Sequence, residues 1–233
     1  VRCVSSTKVA EMSKLLENTF RCVNIAMINE MAMMCEKMNI DIWEVIEGAS
    51  TKPFGFMPFY PGPGIGGHCI PLDPLYLSWQ AKKYDYFNRF IELATDINSN
   101  MPRYTITQIE SLLNAKGKCI KGSKVLLLGI TYKKDIDDLR ESPALKVYDL
   151  LLSKGAMLTF YDSYAKQFRR EEEIVYSVDL TEEILGQMDL VVILTEHSNI
   201  DYKWVHKHAK LIFDTKNAMK GIKSDKLFKL GQN

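Results

Sequence analysis

The pattern of hydrophobic and polar residues predicts a helical first half. From Thr7 to Met38 the chain has no proline or glycine, and apolar residues recur at helical spacing, which predicts one long helix capped by Thr7. The methionine-rich stretch 27–38 is predicted to pack in the helical core. Three more helices are predicted, at 41–48 with Gly48 as its stop, at 75–83, and at 87–115.

Residues 51–74 interrupt this helical pattern. They contain six prolines and five glycines, a composition that predicts a long loop without helix or strand, and such loops usually carry function. Within it, Gly62–Gly67 matches the spacing G-x-G-x-x-G of dinucleotide-binding turns. That turn requires a strand before it and a helix after it, and neither 58–61 nor 68–71 has the expected pattern. We therefore reject this segment as a dinucleotide site.

After Gly117 the pattern becomes that of an α/β protein. Short apolar runs predict strands, and amphipathic runs predict helices between them. The predicted strands are 124–129, 157–161, 189–194 and 211–213, and the predicted helices are 142–154, 181–186 and 202–207. This alternation predicts a parallel sheet covered on both faces, with a domain boundary within 116–122. The charged run 169–173 is predicted to be a solvated surface segment.

Composition narrows the class of protein. The 233 residues are 46% hydrophobic and carry a formal net charge of +1, which excludes a disordered chain and gives no basic excess for nucleic acid or an anionic membrane. No apolar run approaches the ~20 residues that span a bilayer. Five scattered cysteines without a C-x-x-C pair predict reduced thiols in the cytoplasm and no metal site.

Three features could carry chemistry. Cys69 lies among glycines, where a ligand can approach closely, with Asp73 four residues later, although a lone cysteine is more often an inert thiol. Lys133 and Lys134 follow a predicted strand, where they could bind phosphate or simply be solvated. Lys14 and Asn18 are spaced to share one helix face. From the residues alone these alternatives stay open.

Four blocks of sequence together resemble a known family, the UDP-glucose/GDP-mannose dehydrogenases. The blocks are Lys14-x-x-x-Asn18 with Asn29-Glu30, Gly64–Asp73, Gly129–Asp135 with 138–143, and the strand end at Asp214. They extend over nearly the whole chain, and the glycine-glycine-x-cysteine block with its following aspartate is highly specific. The resemblance reverses the preference at Cys69, which we now expect to be a nucleophile.

The resemblance implies oxidation of the C6 alcohol of a nucleotide sugar to a carboxylate, with two NAD used in turn. In this family a cysteine forms a thiohemiacetal and then a thioester, which water hydrolyses. Cys69 matches that cysteine, and Lys14 matches the lysine that stabilises oxyanion character. Asn18 matches the amide that orients substrate or water, and Asp73 matches the aspartate that handles the water with the lysine.

The resemblance also implies the binding residues. Those expected to contact the nucleotide sugar are Tyr60, Gly64, Gly66, Gly67, Tyr132 and Lys133. Arg140 is expected to reach the cofactor, NAD, which the family binds mainly through an N-terminal Rossmann domain that this chain lacks. Near Asp214, relatives usually have arginine where this chain has Lys216. Lysine keeps the positive charge but cannot donate the two parallel hydrogen bonds of a guanidinium.

The expected fold is α/β, with a central helical dimerisation domain at 1–116 and a Rossmann-like UDP-sugar-binding domain at 117–233. The long first helix is expected to form a homodimer. His68 and Leu72 favour UDP-N-acetylglucosamine as the substrate, ahead of UDP-N-acetylgalactosamine, UDP-N-acetylmannosamine and UDP-glucose. A non-catalytic nucleotide-sugar-binding module is the alternative, and the joint presence of the four catalytic candidates disfavours it.

Overall fold

The computed structural model describes residues 3–232, so the predicted domain limits at residues 1 and 233 lie outside the described residues. The first half is helical, as predicted. Its helices are α1 (Thr7–Lys37), α2 (Ile42–Ser50), α3 (Cys69–Ala81), a 3₁₀ turn (Lys82–Tyr84) and α4 (Arg89–Ala115). The cap of α1 is Ser6, whose Oγ accepts the N–H of Val9 at 3.3 Å, so the prediction of Thr7 as the cap is wrong by one residue.

Two further details of the helical half differ from the predictions. Helix α2 continues through Gly48 to Ser50, because an interior glycine costs only about 1 kcal/mol and does not by itself end a helix. The methionines of the stretch 27–38 are not all in the core, since Met27, Met34 and Met38 are exposed. The buried face of α1 instead carries small and polar side chains: Asn18, Cys22, Ala26, Asn29, Ala32 and Cys35, together with Ile28.

The start of α3 corrects the prediction for the long loop. Residues 51–68 form neither helix nor strand, but the helix begins at Cys69, so the loop prediction is wrong for 69–74. Pro71 lies in the first turn, where backbone N–H groups have no helical acceptor and a proline is tolerated. Pro74 lies inside the helix and is buried. The flank after Gly67 is therefore helical, whereas the flank before Gly62 has no strand.

The second half contains the predicted parallel sheet. The strands along the chain are β1 (Lys124–Leu128), β2 (Met157–Tyr161), β3 (Gln167–Arg170), β4 (Glu173–Tyr176), β5 (Leu190–Ile193), β6 (Ile212–Asp214) and β7 (Leu227–Lys229). Five of them form the sheet in the order β2-β1-β5-β6-β7, and all neighbours are parallel. The helices are α5 (Pro143–Ser153), α6 (Glu182–Gln187) and α7 (Tyr202–His208). Strand β7 and the antiparallel hairpin β3–β4 were not predicted.

Alternate residues of β1 show that both faces of the sheet are covered. Val125 and Leu127 pack in a core with α4 and α5, whereas Leu126 and Leu128 pack in a second core with α6 and α7. All four side chains are fully buried. This confirms the expected α/β fold.

The two halves of the chain contact each other in two places. In α4, Met101, Ile109 and Leu113 are buried in the core beneath the sheet. Near the end of the chain, the carbonyl of Gly231 accepts the N–H of Ile42 at 3.1 Å, at the start of α2. These contacts hold the helical half against one face of the sheet and against the segment that follows β7. Among the described residues, no helix is long and apolar enough to cross a membrane.

Candidate functional site

Packing of α1 against α3 brings three of the predicted catalytic residues together. The Nδ2 of Asn18 donates to Oδ2 of Asp73 at 2.7 Å, and Nζ of Lys14 lies 3.4 Å from the same oxygen. Asn18 is 2% exposed, whereas the Lys14 side chain is 63% exposed. Asp73 thus joins a buried amide to an accessible ammonium group, at a place where a ligand can reach the ammonium group.

Cys69 is the first residue of α3 and is partly accessible. Asp73 follows it by four residues, so the two side chains lie one helical turn apart on the same side of α3. The spacing that the sequence analysis assigned to a loop is therefore the spacing of one helical turn.

Arg21 also belongs to this cluster, and the sequence analysis missed it. Its Nη2 donates to Oδ1 of Asn18 at 2.6 Å, and its Nη1 donates to Oε1 of Glu17 at 2.9 Å. Lys14, Asn18 and Arg21 are spaced by four and then three residues, which places them on one face of α1. That spacing was visible in the sequence, but the identity of the partner group was not.

A buried amide network anchors the glycine-rich loop to the helices. Oδ1 of Asn29 accepts the backbone N–H of Gly62 at 3.0 Å, and its Nδ2 donates to Oδ1 of Asn98 at 3.0 Å. Asn98 in turn donates to the carbonyl of Cys22 at 3.0 Å. Asn29 therefore has a structural role in this chain, and the buried amides have the partners that burial requires.

Gly66 and Gly67 allow the loop to lie directly against Tyr132. A Cβ at Gly66 would lie 2.5 Å from Cβ of Tyr132 and 2.9 Å from the carbonyl oxygen of Glu141, closer than real contacts. Gly67 has φ +87°, which side chains other than glycine rarely adopt, and its N–H donates to the carbonyl of Arg140 at 2.9 Å. The loop and the turn after β1 thus form one surface.

Gly64 lies on the other side of this contact. A Cβ there would be 2.9 Å from Cβ of Pro143, the first residue of α5. All three glycines assigned to the substrate therefore also have a packing role, because each lets the loop approach the second half closely.

A buried aspartate organises the turn that follows β1. Oδ2 of Asp162 accepts the backbone N–H groups of Ile130 at 2.8 Å and Thr131 at 3.2 Å. It also lies 3.1 Å from Nε2 of His197, whose Nδ1 accepts the N–H of Asp135 at 3.1 Å. Because Nδ1 is an acceptor, the ring proton of the neutral imidazole lies on Nε2 and points to the carboxylate.

Hydrogen bonds stabilise the negative charge of the buried Asp162 carboxylate. Burial would raise the pKa of its carboxyl, but hydrogen bonds from His197 and from the backbone N–H groups of Tyr164, Ala165 and Ile130 outweigh burial and lower the pKa to about 2. This internal carboxylate uses the N–H groups that a phosphate would need at the turn. The N–H groups of Ile130 and Thr131 are therefore already paired within the protein.

The charged residues assigned near this turn lie at its rim. Lys133 is exposed, and its carbonyl accepts the hydroxyl of Thr131 at 3.1 Å. Arg140 is exposed and makes a two-pronged contact with Asp138, with Nη2–Oδ2 at 2.6 Å and Nε–Oδ1 at 3.0 Å. The Asp138 hydrogen bonds raise the pKa of Arg140, with smaller contributions from Tyr132 and Cys69. The backbone of Arg140 is close to the start of α3, because its carbonyl accepts the N–H of Gly67, two residues before Cys69.

Tyr60 lies at a cavity of about 530 Å³ between α2, residues 58–61 and the carboxyl ends of β5 and β6. Its ring stacks on that of Trp43, with centroids 6.2 Å apart and an interplanar angle of 15°. Lys216 and Glu196 face the same cavity. Burial lowers the pKa of Lys216, opposed by attraction to Glu196 and Asp214. The sequence analysis singled out Tyr60 and Lys216 but missed Trp43 and Glu196.

The predicted site residues therefore fall into three neighbouring groups. The first is the α1–α3 cluster with Cys69, the second is the glycine loop on the turn of Tyr132, and the third is the cavity at Tyr60. Within residues 3–232, no group of three or more His, Cys, Asp or Glu side chains is placed to hold a metal ion.

Comparison with known proteins gives the same family over both halves. The model of the UDP-glucose/GDP-mannose dehydrogenase family, central domain, matches residues 8–100, and that of the family's UDP binding domain matches residues 126–221. The chain is 38% identical over 224 residues to a UDP-N-acetyl-D-mannosamine dehydrogenase of Methanocaldococcus jannaschii. The matched region covers 93% of this chain and 49% of that protein.

Two other relatives extend the comparison. A UDP-N-acetyl-D-glucosamine 6-dehydrogenase of Salmonella typhi is 32% identical over 228 residues, 94% of this chain and 52% of that protein. The solved UDP-D-ManNAc dehydrogenase from Pyrococcus horikoshii matches with a TM-score of 0.83 at 30% identity, over 96% of this chain and 52% of that one. The chain spans about half the length of the curated relatives it matches. It belongs to the UDP-glucose/GDP-mannose dehydrogenase family.

Proposed function

We propose that this chain is the C-terminal part of an NAD-dependent nucleotide-sugar 6-dehydrogenase that supplies precursors for surface polysaccharides. The observation that carries the proposal is the α1–α3 cluster, in which Lys14 and Asn18 both contact Asp73, one helical turn from Cys69. A module that only binds nucleotide sugars has no need of a nucleophile beside a cation and a carboxylate. The dehydrogenase names of the relatives support the same conclusion.

Cys69 would act on the aldehyde formed from the C6 alcohol. Its thiolate attacks the aldehyde carbon, a sulfur–carbon bond forms, and the electron pair of the carbonyl moves onto oxygen. Lys14 is the accessible cation of the cluster, and we assign it to stabilise that developing oxyanion. A thiolate suits this step because it is the stronger nucleophile at neutral pH.

The thiohemiacetal formed in this way would become a thioester when its C6 carbon loses a hydride, for which NAD bound outside this chain would be the acceptor. Hydrolysis of that thioester would use Asp73. Its carboxylate holds Lys14 and Asn18 on a single oxygen, which leaves its other oxygen to accept a proton from water. Water attacks the thioester carbon, the carbon–sulfur bond breaks, and the thiolate of Cys69 is regenerated. Asn18 orients the carboxylate through its 2.7 Å hydrogen bond.

The described residues do not by themselves fit NAD. The turn after β1 lacks the glycine triplet, and Asp162 uses the N–H groups of Ile130 and Thr131. NAD would supply the hydride acceptor for the oxidation, and we assign its binding mainly to an N-terminal domain outside this chain. Arg140 is the one residue here that we assign to contact it, since its guanidinium is exposed and its carbonyl accepts the N–H of Gly67, two residues before Cys69.

We assign the substrate to the class of UDP-N-acetylhexosamines. The loop of Gly64, Gly66 and Gly67, the Tyr132–Lys133 turn and Tyr60 would hold the nucleotide and sugar. The relatives named above divide between UDP-N-acetylmannosamine and UDP-N-acetylglucosamine. Our preference from His68 and Leu72 for UDP-N-acetylglucosamine therefore stays a prediction, and both sugars belong in the test.

We also propose an oligomeric state and a cellular compartment for the protein. The apolar side chains on the exposed face of α1 would be covered in a homodimer, with 1–116 as the dimerising domain and 117–233 as the UDP-binding domain. The five free cysteines fit a reducing compartment such as the cytoplasm.

The proposal is tested by Cys69→Ser in the full-length product of the gene that encodes this chain. Acid formation from UDP-N-acetylmannosamine, UDP-N-acetylglucosamine and UDP-glucose is followed with NAD, and the matched control is Cys119→Ser, at an exposed cysteine of the second half. We expect the Cys69 variant to lose at least about a thousandfold in kcat, because a hydroxyl is a much poorer nucleophile at neutral pH. The control should keep wild-type rates.

Two outcomes would contradict this proposal. Wild-type acid formation by the Cys69 variant would remove the thiol from the reaction. Binding of a UDP-sugar without oxidation by the wild-type protein would favour the non-catalytic module instead.

A further inference from the structure

We propose that Arg21 is a positioning residue of this site, one that fixes the side-chain amide of Asn18 so that its N–H faces Asp73. The inference deepens the proposed function and rests on it for its kinetic consequences. In this proposal Arg21 does not contact the reacting groups, and it acts on them only through Asn18.

The geometry is a continuous chain of polar contacts along α1 and across to α3. Nη2 of Arg21 donates to Oδ1 of Asn18 at 2.6 Å, and Nδ2 of Asn18 donates to Oδ2 of Asp73 at 2.7 Å. Lys14 approaches the same carboxylate oxygen at 3.4 Å. Both contacts of Asn18 are short and charge-assisted, the stronger kind of hydrogen bond.

This arrangement permits only one orientation of the amide. If the amide of Asn18 were flipped, its NH₂ group would face the guanidinium of Arg21 and its oxygen would face the carboxylate of Asp73. Both contacts would then be repulsive. Because Asn18 is 2% exposed, water could not replace the lost partners, and each unpaired buried group would carry its full desolvation cost. Without Arg21, only the contact to Asp73 selects the orientation.

A cation on the amide oxygen also strengthens the amide as a donor. Electron density moves toward the oxygen that Arg21 contacts, so the N–H groups on Nδ2 become more polar. The more polar N–H holds the Asp73 carboxylate more firmly in the orientation that accepts a proton from the attacking water. The effect of Arg21 is therefore expected in kcat more than in substrate affinity.

Arginine is suited to this position in a way that lysine is not. Its planar guanidinium donates to two acceptors at once: Nη2 donates to Oδ1 of Asn18, and Nη1 donates to Oε1 of Glu17. The Nε atom of Arg21 is buried without a hydrogen-bond partner among residues 3–232. The Arg21 side chain is 38% exposed and that of Glu17 is 66% exposed, so the contact with Asn18 lies on the buried side of the guanidinium and the contact with Glu17 lies on its solvent side.

The kinetic test is a double-mutant cycle in the full-length gene product, with Arg21→Met, Asn18→Ala and the combined variant. We expect Arg21→Met to lower kcat about 10- to 100-fold, the loss of one charge-assisted hydrogen bond, with KM changed by less than about threefold. In the Asn18→Ala background the same replacement should change kcat by less than about twofold, because its target is gone. Arg21→Lys should recover only part of the loss.

The matched control is Glu17→Gln, which removes the other partner of the guanidinium but leaves Asn18 in place. It should stay within about twofold of the wild-type kcat. Equal losses from Arg21→Met with and without Asn18 would overturn the proposal, as would a loss from Glu17→Gln as large as that from Arg21→Met.

A second readout does not depend on catalysis. In the NMR spectrum of the chain, the side-chain amide protons of Asn18 should be shifted downfield and protected from exchange, and both features should fall in Arg21→Lys. An unchanged Asn18 amide in that folded variant would overturn the proposal. If the wild-type protein oxidised no UDP-sugar, the proposed function would fail, but the amide spectrum would still decide whether Arg21 orients Asn18.

Discussion

At the residue scale, two carboxylates with different surroundings organise the molecule. Asp73 accepts from Asn18 and Lys14 and remains within reach of a ligand. Asp162 is fully buried and accepts only from the protein, through four backbone N–H groups and His197. We propose that the first takes part in the reaction, whereas the second holds the turn that carries Tyr132 and Lys133.

Asp162→Asn should lower the free energy of unfolding by roughly 2–5 kcal/mol at pH 7. An amide offers one acceptor oxygen in place of two, so at least two buried N–H groups lose their partner. The measurement is urea unfolding monitored by circular dichroism. Asp149→Asn is the matched control, because Asp149 is exposed and pairs only with Arg170; it should change stability by less than about 1 kcal/mol.

The same residue makes stability depend on pH in a defined direction. The pKa of Asp162 is lowered to about 2, so its contribution is present at pH values above the ordinary aspartate pKa and is lost as the pH falls toward 2. Burial raises the pKa of Asp214, which has the opposite effect. The wild type should therefore lose more stability than Asp162→Asn between about pH 5 and pH 2. Parallel pH dependences in the two proteins would contradict this account.

Sequence alone identified residue types better than their partners. Lys14 and Asn18 could be placed on one helix face because helical spacing is regular. Arg21 has the same spacing, but its role depends on which acceptor lies beside it, and that depends on how α1 packs on α3. His197 was equally hidden, because a lone histidine carries no local signal until Asp162 is placed beside it by the sheet.

At the element scale, α1 has a buried face and an unusual exposed face. The buried face is small and polar, which suits close packing on α3 and α4. The exposed face carries Met12, Leu16, Phe20 and Met27, and Leu16 is 67% exposed. Large apolar side chains in such a row are typical of an interface between chains.

We expect Leu16→Glu to convert the protein from dimer to monomer. A charge at the centre of an apolar interface must be desolvated without a partner, which opposes association. Sedimentation velocity measures the oligomeric state. The control is Ile174→Glu, because Ile174 is also an exposed apolar side chain, at 50%, but lies in β4 and not in α1. A wild-type protein that sediments as a monomer, or a Leu16 variant that remains dimeric, would contradict the assignment of α1.

Elements were predictable where the pattern was long or strongly apolar. Helix α1 and strands β1 and β5 follow directly from the absence of glycine and proline in the helix and from short runs of buried residues in the strands. The start of α3 was missed because Pro71 and Pro74 suggest a loop, although a first turn tolerates proline. The hairpin β3–β4 was missed because its strands are short and charged, and Phe168 is its one fully packed apolar side chain.

At the scale of the whole molecule, the site depends on contact between the two halves. The loop from Gly62 to Gly67 is held by Asn29 on one side and lies against Tyr132 and Pro143 on the other. The chain also spans only about half the length of its curated relatives. The proposed oxidation therefore belongs to the complete protein, whereas the residues that we propose as nucleophile, cation and carboxylate, Cys69, Lys14 and Asp73, belong to this chain.

The central claim is that Cys69 carries the substrate as a thioester. The most direct measurement is mass spectrometry of the full-length gene product after acid quenching during turnover with NAD and a UDP-N-acetylhexosamine. Asp73→Asn is included because slower hydrolysis should let the thioester accumulate. We predict a uronyl adduct on the peptide that contains Cys69, more abundant in Asp73→Asn than in the wild type. Acid formation at normal rates with no adduct on Cys69 in either protein would contradict the account.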